Sequence, residues 1–263
     1  MRSELEREAH LVRILEGMGG VAVAFSGGVD SAVLLHAAQR ALGARALGVI
    51  ADSPSLPRAE LARARAFAAE RGIALLVVTT GELADPRYRA NAGDRCFFCK
   101  EALFDALELA ARRRGLPALA FGEIADDALD DRPGARSARA RGVRAPLAEA
   151  GFTKADVRAY ARRHGLPQHD QPASACLASR LPRGTEVTAE RLARVEAAEA
   201  ELRALGLRVL RVRDHGRLAR VEVGADELAL AAGKRPQLAE LLAGHGFEEL
   251  ELAAYVPPAE RHA

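Results

Sequence analysis

With 263 residues, 49% of them hydrophobic and only 4% aromatic, the chain can bury one α/β core and a smaller second one, built mostly from Leu, Val and Ala. A net charge of +2 gives it none of the strong positive field of a nucleic-acid-coating protein. No apolar run approaches the roughly 20 residues of a membrane span and no charged-then-apolar leader opens the chain, so a cytoplasmic protein without a membrane partner is expected.

Residues 3–17 read as an amphipathic helix, with Leu5, Val12 and Leu15 among charges, packing beside the first strand. Residues 21–25 (VAVAF) are a short apolar run, Ser26-Gly27-Gly28 is a tight polar turn, and residues 31–38 are apolar at helical spacing. Strand, loop and helix follow in that order. Residues 46–51 form a second strand, ended by Asp52-Ser53-Pro54 at the edge where parallel sheets bind ligands, which makes Asp52 a candidate adenine or ribose contact. Helix 56–71, strand 74–79, helix 100–114, strand 117–122 and helix 154–164 continue the alternation, with Gly165 as a C-cap. This alternation predicts an α/β fold with a doubly wound parallel sheet.

Near Thr185 the texture changes. A long helix over 188–205 with Thr188 as N-cap is followed by strands 207–212 and 218–223 about a turn at Asp214-His215-Gly216. Helices at 225–232 and 236–245 and a strand at 247–252 complete a smaller C-terminal α+β domain. The expected domains are therefore 1–184 and 185–263.

The strand–loop–helix junction carries specific chemistry. Adjacent Gly27 and Gly28 let the backbone take φ above zero and admit an anion with no Cβ in the way. The first turn of the following helix has unpaired N–H groups at its positive dipole end, so a phosphate is stabilised there. Ser26 and Ser31 add hydroxyl donors, whereas Asp30 cannot face a phosphate without an intervening cation, which makes it a Mg²⁺ ligand or orienter. Neither a Walker GxxxxGK[ST] loop nor a GxGxxG fingerprint is present. The SGGVDS stretch resembles the SGGxDS loop of the PP-loop pyrophosphatases, which cleave ATP to AMP and pyrophosphate.

Cys96-Phe97-Phe98-Cys99, between Asp94-Arg95 and Lys100, can bring two thiolates to one metal, zinc or an iron–sulfur centre, or can be two buried hydrophobes. Residues 172–184 make an ordered loop that is neither strand nor helix, in which Cys176 beside Arg180 is either a nucleophile of lowered pKa or a packing cysteine. The carboxylates Glu123, Asp126, Asp127, Asp130 and Asp131 either hold Mg²⁺ on pyrophosphate or form a solvated charge run. Arg211 and Arg213 share one face of a strand by parity and can converge on one anion.

Taken in order, SGGVDS, DRCFFCK, DDALDDRPG, ACLASRLPRG and VRVRDH resemble the LarE family of ATP-dependent sulfur transferases, which make the nickel-pincer nucleotide cofactor of lactate racemase. The resemblance implies a PP-loop fold, ATP and Mg²⁺ as reactants, and pyridinium-3,5-biscarboxylic acid mononucleotide as the small-molecule substrate. It also implies a homo-oligomer. Residue by residue, it assigns Ser26, Gly27, Gly28 and Ser31 to pyrophosphate and Asp30 to Mg²⁺, and it places Ser179, Arg180, Glu199, Arg211 and Arg213 around the substrate and sulfur-transfer pocket.

Some members sacrifice the sulfur of one loop cysteine, while others hold a 4Fe-4S cluster on three cysteines. With Cys96, Cys99 and Cys176 all present, the resemblance favours the cluster, and Cys176 as sacrificial donor is the alternative. A PP-loop tRNA thiolase is a second candidate, opposed by the small net charge and the lack of an aromatic platform for RNA. An ammonia-using ligase would not need the cysteines, and a non-catalytic nucleotide sensor would release no pyrophosphate.

Overall fold

The computed structural model describes residues 3–129, 133–170 and 175–256; Asp130, Asp131, Arg132 and the start of the 172–184 loop, Pro172, Ala173 and Ser174, lie outside them. The chain divides into two compact units, Met1–Tyr88 with Asp94–Ser174, and Arg89–Gly93 with Ala175–Ala263.

The first unit begins with α1 (Glu4–Met18), started by a capping box in which Glu6 N donates to Ser3 Oγ at 3.3 Å and Ser3 N donates to Glu6 Oε2 at 2.6 Å. Strand β1 (Val21–Ala24) leads into α2 (Val29–Leu42), β2 (Ala46–Asp52), α3 (Arg58–Glu70) and β3 (Ala74–Thr79). A one-turn α4 (Pro86–Arg89), the long α5 (Arg95–Arg114), β4 (Ala118–Phe121), α6 (Pro133–Ala140), α7 (Pro146–Ala150) and α8 (Lys154–Arg163) follow. Among the described residues the sheet has four parallel strands in the order β3-β2-β1-β4. This is the expected α/β architecture, because residues alternate sides along β1. Val21, Val23 and Phe25 join α1, α2, α3 and α8 in one core, and Ala22 and Ala24 join α5 in another, so helices cover both faces.

Chain order runs from β1 outward through β2 to β3, then returns along α5 to place β4 on the other side of β1. Strand order therefore reverses between β1 and β4, and a crevice opens beyond their carboxyl ends. Helix α1 shares the core of Val21 and Val23 of β1, as expected, and also packs on α2 and α7, which the sequence did not indicate. Two local expectations are corrected. Helix α5 begins at Arg95, not at residue 100, so the CxxC pair is helical. Residues 133–140 and 146–150 are helical where no helix was expected, the second aided by Pro146 at its first turn.

The second unit holds α9 (Ala189–Ala204), β5 (Leu210–His215), β6 (Leu218–Val223), α10 (Leu228–Gly233), α11 (Arg235–Gly244) and β7 (Glu249–Ala254), with β6 antiparallel to β5 and parallel to β7. Thr188 caps α9 as expected, accepting from Arg191 N at 3.3 Å. Strand β5 starts three residues later than the pattern predicts. The hairpin turns at Gly216-Arg217, where Gly216 takes φ +81°, and not at Asp214, whose buried carboxylate accepts from Gly216 N at 2.8 Å.

Phe104 on α5 is 0% exposed and meets Phe121 of β4 edge to face, with ring centroids 6.2 Å apart. Phe104→Ala is expected to destabilise the first unit by about 3–5 kcal/mol in urea denaturation, because the ring fills the layer that seats α5 on the sheet.

Candidate active site

From β1 the chain turns through Ser26, Gly27 and Gly28 into α2. Gly27 takes φ +81°, whereas Gly28 sits at φ −72°, ψ 162° as the residue before the helix, so one glycine and not both supplies the positive φ. Hydroxyls close the loop on itself. Ser26 N donates to Ser31 Oγ at 3.2 Å, the two hydroxyls share a hydrogen bond of 3.0 Å, and Ser31 Oγ donates to Gly28 O at 3.0 Å.

Both carboxylate oxygens of Asp30 lie 2.8 Å from Lys154 Nζ. The cation that a carboxylate beside an anion site requires is thus present as a side chain of the same unit. Lys154 is the first residue of α8, held there by a capping box between Thr153 and Asp156 and by Asp126 Oδ2, which accepts from Lys154 N at 2.8 Å. Sequence reasoning missed this residue, which lies 124 positions from its partner. Its one signal was rarity: all but three of the 38 basic residues are arginine, and Lys154 is one of the three.

A cavity of about 380 Å³ opens at the crevice between β1 and β4, lined by Ser26, Asp30, Ser31, Cys96, Lys100 and Glu123 among others. Gly122, just past β4, also lines it, and a Cβ there would lie 2.8 Å from Ser31 N. Bare backbone at Gly122 lets the end of β4 close against the first turn of α2. Of the carboxylate run, Glu123 and Asp127 line this cavity and Asp126 caps α8. Asp52, at the end of β2, lies outside that lining and is ion-paired with Arg58 of α3.

Cys96 and Cys99 lie near the start of α5 three residues apart, which sets both thiols toward one side of the helix. That pair suits two thiolate ligands of a soft metal or cluster. None of the three cysteines forms a disulfide. Cys176 belongs to the second unit, where it precedes a 3₁₀ turn, Leu177–Arg180, in the loop expected to lack helix.

Around that turn Arg180, 2% exposed, pairs with Glu199 of α9, 1% exposed, at 2.8 Å and 3.2 Å. Its Nη1 donates to the carbonyls of Ala175 at 2.6 Å and Cys176 at 3.0 Å, and Ser179 Oγ donates to Cys176 O at 2.7 Å. Arg180 thus works from inside the loop, fixing the backbone that carries Cys176. Arg213 of β5 donates to Ser179 O at 2.7 Å and pairs with Glu222 at 2.7 Å. Arg211, two residues earlier on the same strand face, lies over the Tyr255 ring at 5.3 Å. Burial pushes the Glu199 carboxyl up, but the Arg180 hydrogen bonds, the Arg180 and Arg203 charges and Val212 N outweigh it and hold it below its ordinary 4.5. Burial and then the Arg180 charge push Arg211 below the ordinary arginine value.

A parallel sheet with a serine–glycine loop at its switch point defines an α/β protein of the PP-loop class. No protein-family model matches the chain. A Lactiplantibacillus plantarum protein named pyridinium-3,5-bisthiocarboxylic acid mononucleotide synthase is 37% identical over 218 residues, covering 82% of this chain and 79% of that protein. An uncharacterised Synechocystis protein is 44% identical over 206 residues, 78% and 77% of the two chains, and one from Methanocaldococcus jannaschii is 24% identical over 230 residues, 88% and 87%. The chain therefore belongs to the LarE family of pyridinium-3,5-bisthiocarboxylic acid mononucleotide synthases, and it is a sulfurtransferase.

Two outcomes follow from this geometry. Gly122→Ala is expected to push Ser31 and weaken ATP binding by about 1–3 kcal/mol, roughly five- to 150-fold by calorimetry. Glu199→Gln is expected to cost about 3–5 kcal/mol at pH 7 by leaving Arg180 buried without its counter-charge. Because the folded Glu199 titrates below its unfolded value, its contribution is full above pH 4.5 and is lost as pH falls through the lower folded value. Acid unfolding followed by circular dichroism is expected to lack that component in the variant.

Proposed function

We propose that the protein converts the carboxylates of pyridinium-3,5-biscarboxylic acid mononucleotide to thiocarboxylates at the expense of ATP, on the route to a nickel-pincer nucleotide. The observation that carries this reading is that one thiol of the CxxC pair, Cys96, lines the same cavity as the loop serines and Asp30. Sulfur chemistry and nucleotide chemistry then share a site. The 37% identity with a protein named for the bisthiocarboxylate product supports the choice of substrate.

In the first half-reaction a substrate carboxylate oxygen attacks the α-phosphorus of ATP, the bond to the β-phosphate oxygen breaks, and pyrophosphate leaves an acyl-adenylate. Ser26, Ser31 and the backbone N–H groups at Gly27 and Gly28 hold the pyrophosphate at the start of α2. Asp30 would hold Mg²⁺, which would offset charge on the phosphates, and Lys154, now 2.8 Å from both Asp30 oxygens, would add a second positive charge beside them. In the second half-reaction a sulfur nucleophile adds to the acyl carbon and AMP departs with the C–O bond electrons, leaving a thiocarboxylate. A 4Fe-4S cluster held by Cys96, Cys99 and Cys176 would supply that sulfur as an exchangeable sulfide. Arg211 and Arg213, sharing one face of β5, receive the nucleotide phosphate through guanidinium forks, with Ser179 beside them. The lowered pKa of Arg211, set by burial and by Arg180, supports a place that an anion would stabilise.

The test is an anaerobic assay of the reconstituted protein with MgATP and the biscarboxylate mononucleotide, following AMP, pyrophosphate, product mass and bound iron. Thiocarboxylate with iron bound and Cys176 intact is the expected result. Product accompanied by conversion of Cys176 to dehydroalanine would move the sulfur source to that side chain. AMP release with tRNA and none with the mononucleotide would overturn the substrate.

A further inference from the structure

A second cavity, of about 570 Å³, lies within the first unit at the carboxyl end of edge strand β3, within the size range of small-molecule sites. It uses the opposite face of α5 from the active-site cavity. Cys96, Lys100 and Leu103 line one, and Phe98, Glu101 and Asp105, about half a helical turn around, line the other.

Glu82, directly after β3, lines this second cavity. It is 3% exposed, yet neither carboxylate oxygen has a hydrogen-bond partner among the described residues, and the shielded Thr80 Oγ1 beside it has none either. Buried carboxylates are strongly disfavoured without donors or a counter-charge, so this pair is an unmet demand. Each of the other acids around the cavity has an arginine partner: Asp85 pairs with Arg87 at 2.7 Å, and Glu101 and Asp105 share Arg141 at 2.7 Å and 2.6 Å. Glu82 alone among them lacks both a counter-charge and N–H donors from the described residues.

The remaining walls narrow the chemistry. Phe97 and Phe98 meet edge to face at 5.6 Å, and the Arg87 guanidinium lies 4.5 Å over the Phe98 ring, so this aromatic wall already accepts a cation with a planar N–H fork. Leu109 and Ala102 add apolar surface for a carbon skeleton. A bare divalent ion calls for six or more oxygens, and the neighbouring carboxylates are committed to arginines. An N-substituted pyridinium ring, as in a pyridinium nucleotide, carries charge but no ring N–H to satisfy Glu82.

We propose that this cavity is a second binding site, taking a small organic cation that presents a primary ammonium or guanidinium group to Glu82 and Thr80 and an apolar body to Phe97, Phe98 and Leu109. The occupant rests on the helical turns whose other side carries Cys96, so it is separate from the nucleotide site yet borders the same element.

Calorimetric titration of the intact protein with phenethylammonium and with agmatine, each with and without saturating MgATP, tests this. One equivalent of at least one probe is expected to bind, undisplaced by MgATP, and at least tenfold more weakly to Glu82→Gln. Phe98→Ala, which keeps the carboxylate, is expected to weaken binding as well and serves in place of Glu82→Gln if that variant fails to fold by circular dichroism. Absence of heat from both probes, equal affinity in the variants, or displacement by MgATP would overturn the proposal. So would saturable binding of MgCl₂ alone that is lost in Glu82→Gln, which would make the site a metal site.

Discussion

The seating of α5 on the alanine face of β1 is the contact on which the first unit's candidate active site rests. Ala22 and Ala24 present almost no side chain, so Phe104, Leu107, Ala110 and Ala111 pack directly against the strand, while Val21, Val23 and Phe25 fill the opposite layer. Burial on both faces fixes β1 as the sheet's centre, and the loop at its carboxyl end inherits that rigidity. The same contact brings the first turn of α5, with Cys96 and Lys100, to the cavity of Ser26 and Ser31. Apolar packing at one end of α5 thus decides which polar groups meet at the other.

The two kinds of basic residue are used differently. Arginine, which dominates, serves architecture: Arg180 fixes the Cys176 loop on Glu199, and Arg141 gathers Glu101, Asp105 and Glu108. Its planar fork satisfies several acceptors at once in fixed geometry. Lysine is a compact point charge on a flexible stem. Two of the three lysines, Lys100 and Lys154, are at the loop cavity, lining it and holding Asp30 respectively.

What was legible in the chain was what local pattern encodes. Strands β1 to β4 fall within a residue of their apolar runs, because a strand buried on both faces reads as a continuous hydrophobic stretch. The serine–glycine loop was legible because its chemistry is contained in six consecutive residues. The start of α5 was hidden, since CFFCK after Gly93-Asp94 shows no helical stripe before Leu103. The hairpin was misplaced because Asp214 resembles a turn residue and does accept from Gly216 N two residues on, while its pairing with Arg191, which accompanies its burial at the end of β5, is tertiary. Lys154 and Gly122 were illegible for one reason: each owes its role to groups far away in sequence, Asp30 and Ser31 respectively. No window along the chain contains both halves of those contacts.

The assignment of Arg89–Gly93 to the second unit bears on how such a protein can be inherited or taken apart. Asn91 Nδ2 donates to the carbonyls of Pro182 at 2.8 Å and Thr185 at 3.1 Å, Gly184 N donates to Asn91 O at 2.9 Å, and Arg183 Nε donates to Ala92 O at 2.7 Å. The polypeptide therefore leaves its first unit after Tyr88, contributes five residues to the second, and returns at Asp94 immediately before the CxxC helix. The second unit is not a cassette appended to a nucleotide-binding module. A gene cut at residue 174 separates it from the segment whose buried Asn91 ties Pro182, Gly184 and Thr185 together, so recombination that swaps C-terminal halves between relatives must also match that short insert.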